Sequence, residues 1–291
     1  MLSILIATYN FNSVPLVNEL NHQLIDAKIN YEILCYDDAS KSKLNKYNHA
    51  INSIENCTFL ELDKNLGRSA IRNLLAKKAK FNWLIFLDGD VMPASKNFIQ
   101  DYSKLINENY KTIYCGGVQY EIKPENQKFL HYKHGRKNEE ISVDKRNQRP
   151  FKYFFTSNFL IHKSVFSKVV FEERLTKYGR EDMLFAIELK KNSYDVKHLD
   201  NAIYHLGIEE DDKFIRKTKQ AMENLIFLEK ENLLKIKEAK LLRLVKLLKR
   251  LRVSNFTANL SNYFENRVKK NQSLFFLDCL KVSYLCKLIK K

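Results

Sequence analysis

The sequence predicts an α/β fold with a largely parallel sheet, followed by a basic helical extension. Short apolar, β-prone runs at 2–7, 31–36, 57–62 and 83–87 alternate with segments of helical period at 16–27 and 69–80, a βαβ rhythm. Five or six apolar or β-branched residues in a row suit strands covered on both faces, as parallel strands are. Charge then divides the chain: residues 1–212 carry 30 Lys and Arg against 28 Asp and Glu, a net +2, whereas residues 213–291 carry 20 against 6, a net +14. A chain of 291 residues, 45% hydrophobic and 12% aromatic, has ample material for a packed core, which excludes disordered and collagen-like classes.

Taken in order, the first predicted strand ends in Thr8-Tyr9-Asn10, the second in Asp37-Asp38 and the fourth in Asp88-Gly89-Asp90. Open α/β sheets bind ligands at the carboxyl ends of their strands, so three polar strand ends delivered to one edge suit a nucleotide-binding half. From 112 the pattern is less regular. A Gly116-Gly117 break leads to a polar, basic stretch at 133–149, which reads as a mobile loop; His131, His134 and Arg136 at its border read as solvated, with contacts to diphosphate or acceptor as the alternative. An apolar run at 153–161 follows, carrying Thr156, Ser157 and Asn158. Beyond 203 the pattern is helical almost throughout. Between 240 and 253, Leu241, Leu244, Val245, Leu248 and Leu251 share one expected face, opposite Lys240, Arg243, Lys246 and Arg250. The five cysteines lack paired metal-ligand spacing and sit mostly in apolar runs, which favours a reducing compartment. Residues 1–7 are too short for a signal-peptide core, and no run of 18 uncharged apolar residues occurs, so neither secretion nor a membrane span is expected.

The chemistry concentrates in acidic pairs. Asp88 and Asp90 flank a glycine at the end of an apolar strand, where carboxylates can hold Mg²⁺ or Mn²⁺ together with substrate phosphates. Asp-Gly-Asp also builds turns and caps, and spacing alone does not separate the two readings. Glu181-Asp182 precedes the apolar positions Met183, Leu184, Ile187 and Leu189, so it opens a helix, where acids also favour the helix dipole.

These motifs occur in a fixed order: Thr8-Tyr9-Asn10, Asp37-Asp38-Ala39-Ser40, Asn65-Leu66-Gly67 with Arg72-Asn73, Asp88-Gly89-Asp90, and Gly179-Arg180-Glu181-Asp182. The set resembles the inverting, nucleotide-sugar-dependent glycosyltransferases of family two, over roughly residues 1–210. The resemblance implies the GT-A fold, a Rossmann-like mixed sheet flanked by helices. It also implies roles. Thr8, Tyr9 and Asp38 would line the base and ribose pocket, and Arg72 would face the nucleotide. Asp88 would meet the ribose or a metal-bound water, and Asp90, closing the DxD motif, would coordinate Mn²⁺ or Mg²⁺ at the diphosphate, with His205 as a further ligand. Asp182 would be the general base and Glu181 would help position acceptor or base. Thr156, Ser157 and Asn158 resemble part of an acceptor-side strand, where they could bond sugar hydroxyls or equally pin a loop. Two positions depart from the usual pattern: Ala39 stands where glycine is usual and Ile71 where alanine is usual.

The domain reading is therefore 1–212, with a nucleotide half at 1–100 and an acceptor half at 101–212, then an extension at 213–291. The implied reaction moves a sugar from a nucleotide donor, with uridine diphosphate as the expected carrier, to a glycan or lipid-linked glycan in surface polysaccharide or lipopolysaccharide synthesis. Competing readings are a nucleotidyltransferase, or a fold that has lost turnover and binds membrane or nucleic acid. For the tail, packing on the body competes with attachment to an anionic membrane through 240–253 and 273–289; no specific nucleic acid is expected, since no recognised binding motif accompanies the charge. A cytoplasmic enzyme, peripheral on the inner membrane face, is the expected setting.

Overall fold

The computed structural model describes residues 1–106 and 108–290. It divides into two compact units: residues 1–121, 137–176 and 181–207 form the first, and residues 122–136, 177–180 and 208–291 the second.

All strands belong to the first unit: β1 (Leu2–Thr8), β2 (Tyr31–Asp37), β3 (Cys57–Glu61), β4 (Trp83–Asp88), β5 (Val91–Pro93), β6 (Thr112–Cys115), β7 (Val118–Gln119), β8 (Asn158–His162), β9 (Asp195–His198) and β10 (Ile203–His205). A seven-stranded sheet runs β3-β2-β1-β4-β8-β6-β9, and a small sheet runs β5-β10-β7. β1 to β4 pair in parallel, whereas β8 lies antiparallel to both β4 and β6. The sheet is therefore mixed.

Pro15 within the first turn of the helix Val14–Asp26 supplies a pre-set φ, and Leu16, Val17, Leu20 and Leu24 face inward at helical spacing. β1, β2 and β4 each run one residue past their apolar stretch, ending on Thr8, Asp37 and Asp88, with Thr8 opposite Asp37 in register. Parallel pairing thus brings the polar ends of three strands side by side. An aromatic core lies behind them: Phe86 stacks on Phe159 at 4.7 Å, and Phe185 stacks on Phe171 at 4.3 Å. Phe185 belongs to the helix Glu181–Lys191. One turn beyond Glu181, its ring fixes that helix to the core through close packing.

Residues 133–149 are not the expected loop. They fall largely in the helices Leu130–Asn138 and Val143–Gln148. Arg146 is buried and donates to the carbonyls of Cys115, Gly116, Ile141 and Leu199. A side chain on Gly117, which has φ of +92°, would meet that guanidinium at 2.7 Å. His198 accepts from Arg146 through Nδ1 and donates from Nε2 to the Pro150 carbonyl. His131, expected in solvent, is buried and stacks on Phe214 at 4.9 Å. Charge-rich composition signals exposure only on average, and here backbone carbonyls satisfy a buried cation.

The second unit is helical: Asp211–Lys230, Lys240–Arg250, Ser254–Asn259, Ser261–Asn271 and Leu274–Lys290 are its main segments. Leu130, Phe214, Ile215, Val268, Leu277 and Leu280 form its core. Asp211 accepts the Leu130 N–H and the Gln272 amide, and Tyr284 donates to Glu223. The helix Leu274–Lys290 buries Leu277, Leu280, Leu285 and Cys286 in the unit's own interior and leaves Phe275 and Ile289 exposed. Among the described residues, no helix is long and apolar enough to cross a membrane.

Candidate active site

The carboxyl ends of β1, β2 and β4 form the floor of the site. Thr8 is buried, and its Oγ1 accepts from Ser13 Oγ at 3.0 Å. Gly89 is dictated by Thr8: a Cβ at position 89 would lie 2.5 Å from the Thr8 Cβ. The glycine between the two acids therefore serves a close approach within the chain. Tyr9 is exposed at 60%, with its ring turned to solvent. Asp38 is buried, and its two carboxylate oxygens accept the N–H groups of Leu66 and Gly67 at 2.6 and 2.9 Å. Burial raises its pKa, outweighing those two hydrogen bonds. Asp38 thus anchors the 65–67 turn, and Gly67, with φ of +85°, opens the helix Arg68–Lys78. Ala39, where glycine is usual, has φ of +53°, a left-handed conformation that explains the preference for glycine.

Arg72 lies inside the protein among charged and aromatic side chains. Its side chain is 2% exposed, its guanidinium lies over the Phe171 ring at 5.6 Å, and it pairs with Asp88 Oδ1 and, at 3.8 Å, with Glu181. Arg68, one helical turn earlier on the same face, holds Asp88 Oδ2 at 3.0 Å through Nη2 and Glu181 Oε1 at 2.9 Å through Nε. Two arginines thus bind two carboxylates, one from the end of β4 and one from the first turn of the helix Glu181–Lys191. Both Asp88 oxygens are held by guanidinium groups. Sequence reading missed Arg68. Its four-residue spacing from Arg72 was the available signal, but only the fold reveals the shared partners.

Asp90 and His205 do come together. β5 and β10 pair antiparallel with His205 opposite Val91, and the Leu206 N–H donates to the Asp90 carbonyl at 2.8 Å. His205 Nε2 lies 3.5 Å from Asp90 Oδ2. Burial disfavours the charged imidazole, but the adjoining carboxylate outweighs it and raises the His205 pKa. For Asp90, burial works upward, yet His205 and the charge of Arg68 hold its carboxyl well below the usual range. A Cβ on Gly207 would lie 2.1 Å from Asp90 Oδ2, so that glycine leaves the carboxylate its space. The Tyr120 ring stands 5.5 Å from the imidazole.

One carboxylate and one imidazole fit a divalent cation that draws its remaining ligands from substrate phosphates and water. Among the described residues, no group of three or more His, Cys, Asp or Glu is arranged to hold a metal by itself.

Asp182 is half-buried in the first turn of its helix, where Oδ1 accepts the Met183 N–H at 2.7 Å. Asn158 lies inside the fold. It is buried, accepts from Tyr102, and donates to the carbonyls of Gly117 and Asn201. Its polarity joins the two sheets at Gly116-Gly117 and is used up there. Thr156 is buried and Ser157 half-buried beside it.

Chondroitin synthase from Escherichia coli is 26% identical over 239 residues, 70% of this chain and 34% of its own length. The chain thus spans about a third of that relative. The mannosyltransferase PcManGT from Pyrobaculum calidifontis, solved with GDP-Man and Mn²⁺, has a TM-score of 0.57 at 13% identity, covering 99% of this chain and 86% of its own. S. aureus TarS 1-349, solved with UDP-GlcNAc, has a TM-score of 0.52 at 15% identity, covering 99% and 90%. At those identities the likeness speaks for the fold alone, and the mixed sheet with flanking helices is the expected GT-A architecture. The family description Glycosyl transferase family 2 matches residues 3–173 of the 291, more than half of the chain, with Thr8, Asp38, Arg72 and Asp88-Gly89-Asp90 inside the match; the chain is a glycosyltransferase that belongs to this family.

Proposed function

We propose that this glycosyltransferase moves a sugar from a uridine diphosphate donor to a glycan hydroxyl by a single inverting displacement, with Asp182 as general base. The observation that carries this reading is the ion-pair chain from Asp88 through Arg72 and Arg68 to Glu181. It ties the strand end beside Asp90 to the helix turn that bears Asp182, so donor and base elements are held by one partly buried network. The reading also draws on TarS, solved with UDP and with UDP-GlcNAc.

Asp90 and His205 would hold a divalent cation against the donor diphosphate. That cation supplies charge neutralisation as the leaving group departs. Asp182 takes the proton from the acceptor hydroxyl, whose oxygen bonds to the anomeric carbon while the bond to the diphosphate oxygen breaks and the nucleoside diphosphate leaves. Attack opposite the departing bond inverts the anomeric centre. Glu181 does not act on substrate; held by Arg68 and Arg72, it orients the turn that carries Asp182. The chondroitin synthase likeness supports a polysaccharide acceptor, free or lipid-linked.

Thermal unfolding with uridine diphosphate, with and without Mn²⁺, tests the donor half, because a ligand that binds only the folded state raises its apparent stability. The expected result is a metal-dependent rise that Asp90→Ala abolishes. No rise with folded protein, or an undiminished rise in Asp90→Ala, would overturn it. NMR of the product anomeric proton tests inversion directly.

A further inference from the structure

The helix Lys240–Arg250 is already seated in the second unit by Leu242 and Val245, its buried side chains. The expected inward face included Leu244 and Leu251, but both are exposed. Leu244, Leu247 and Leu251 recur at positions i, i+3 and i+7, forming an outward apolar stripe on the helix and the residue that follows it. Val253 and Phe256 continue it into the next turn, and Leu247, Leu251 and Phe256 are 50%, 60% and 69% exposed. Arg243 and Arg250 are helical neighbours of Leu247, four residues before and three after it. Lys240, Arg243, Lys246, Lys249, Arg250 and Arg252 are all exposed, and no acidic residue occurs from 239 to 264. Elsewhere in the unit cations find anions, as Lys269 finds Asp212 at 2.9 Å and Lys219 finds Glu265. None of these six has an ion-pair partner among the described residues.

Beyond sugar transfer, we propose that the 240–256 edge is a peripheral docking surface for an anionic lipid membrane. Leucines flanked by long cationic chains match the boundary between headgroups and acyl chains: the leucines and Phe256 enter the apolar layer while Lys and Arg extend toward phosphates. A second copy of the chain fits poorly, since six uncompensated cations would meet six more. Single-stranded nucleic acid offers phosphates but would need stacking rings, and this edge supplies only Phe256 amid aliphatic side chains. The helix Leu274–Lys290 lies outside this edge: it buries Leu277, Leu280 and Leu285 within the unit.

The full chain is sedimented with vesicles of phosphatidylcholine alone and of phosphatidylcholine with phosphatidylglycerol, at moderate salt. Binding is expected only to the anionic vesicles and is expected to fall as salt rises. Removing two interfacial cations in Arg243→Gln/Arg250→Gln is expected to weaken it about 30-fold. Leu247→Ser/Leu251→Ser/Phe256→Ser is expected to weaken it by about 100-fold or more, with unchanged circular dichroism, because all three side chains are exposed. Phe275→Ser, an exposed aromatic outside the edge, is expected to bind as the wild type does. No preference for anionic vesicles, or full binding by the triple variant, would overturn the proposal. So would tighter binding to poly(U) RNA than to the vesicles, or a concentration-dependent dimer that the triple variant abolishes. Each of those outcomes leaves the reading of the transfer site intact.

Discussion

Two charged regions of this molecule obey opposite rules. At the end of β4, Arg68, Arg72, Asp88 and Glu181 are gathered so that each charge meets its opposite inside the protein. At 240–252, six cations stand in solvent with no ion-pair partner among the described residues. Buried charge is tolerated only when paired, because desolvation of a lone ion costs more than a fold can supply. Exposed unpaired charge costs little and remains available to something outside the chain. The first region therefore serves rigidity and the second serves encounter, and substitutions should separate them.

The largest effect is expected for Asp182→Asn, which keeps shape but removes the base. Turnover should fall by about 10² to 10⁴-fold, measured as nucleoside diphosphate release, while the unfolding midpoint stays put. Retained turnover would remove Asp182 from the mechanism. Next comes the pairing rule itself. Arg72→Met leaves two buried carboxylates short of a partner and should destabilise the protein by about 3–5 kcal/mol in urea unfolding. The matching Arg243→Met, at an exposed and unpartnered cation, should change stability by no more than about 0.5 kcal/mol. Equal losses from the two would dissolve the comparison.

His198 sharpens it from the pH side. Burial depresses its pKa to about 4, with the neighbouring Arg146 cation adding to the effect. The unfolded chain takes up a proton near pH 6.5 and the folded chain only near 4. The stability held above pH 6.5 should therefore be lost as pH falls through that window, by about 3 kcal/mol in all. His198→Gln should flatten this part of the pH–stability curve; an unchanged slope would show that another group titrates there. The smallest effect is expected at Ala39. Its φ of +53° disfavours a side chain, so Ala39→Gly should stabilise by up to about 1 kcal/mol, the strain relieved being partly offset by greater freedom of the unfolded chain.

Much of the site was legible because strand ends are local features. An apolar run followed by Thr8, by Asp37-Asp38 or by Asp88-Gly89-Asp90 announces a strand and its polar terminus at once. His205 stood out only through the family resemblance, and its approach to Asp90 depends on the pairing of β5 with β10 across more than a hundred residues. Asn158 shows the converse. A polar triplet in an apolar strand suggests a ligand contact, but its amide satisfies Tyr102, Gly117 and Asn201 inside the fold. Arg146 is a similar case, because a basic stretch gave no sign that carbonyls at 115, 116 and 199 would converge on one guanidinium.

By itself, the sequence determined the alternation of strands and helices, the edge of the sheet that carries the acids, and the abrupt change to a basic helical segment after 212. These follow from periodicity and composition, which neighbouring residues set among themselves. The tertiary structure alone decided the partners: Asp88 bound by two arginines, Arg72 buried between Asp88 and Glu181, and the 240–250 helix turned so that Leu242 and Val245 point inward and Leu247 outward. A helix of apolar and basic residues has more than one face it could bury. The surfaces that choose among them come from segments distant in the chain, and no local pattern records them.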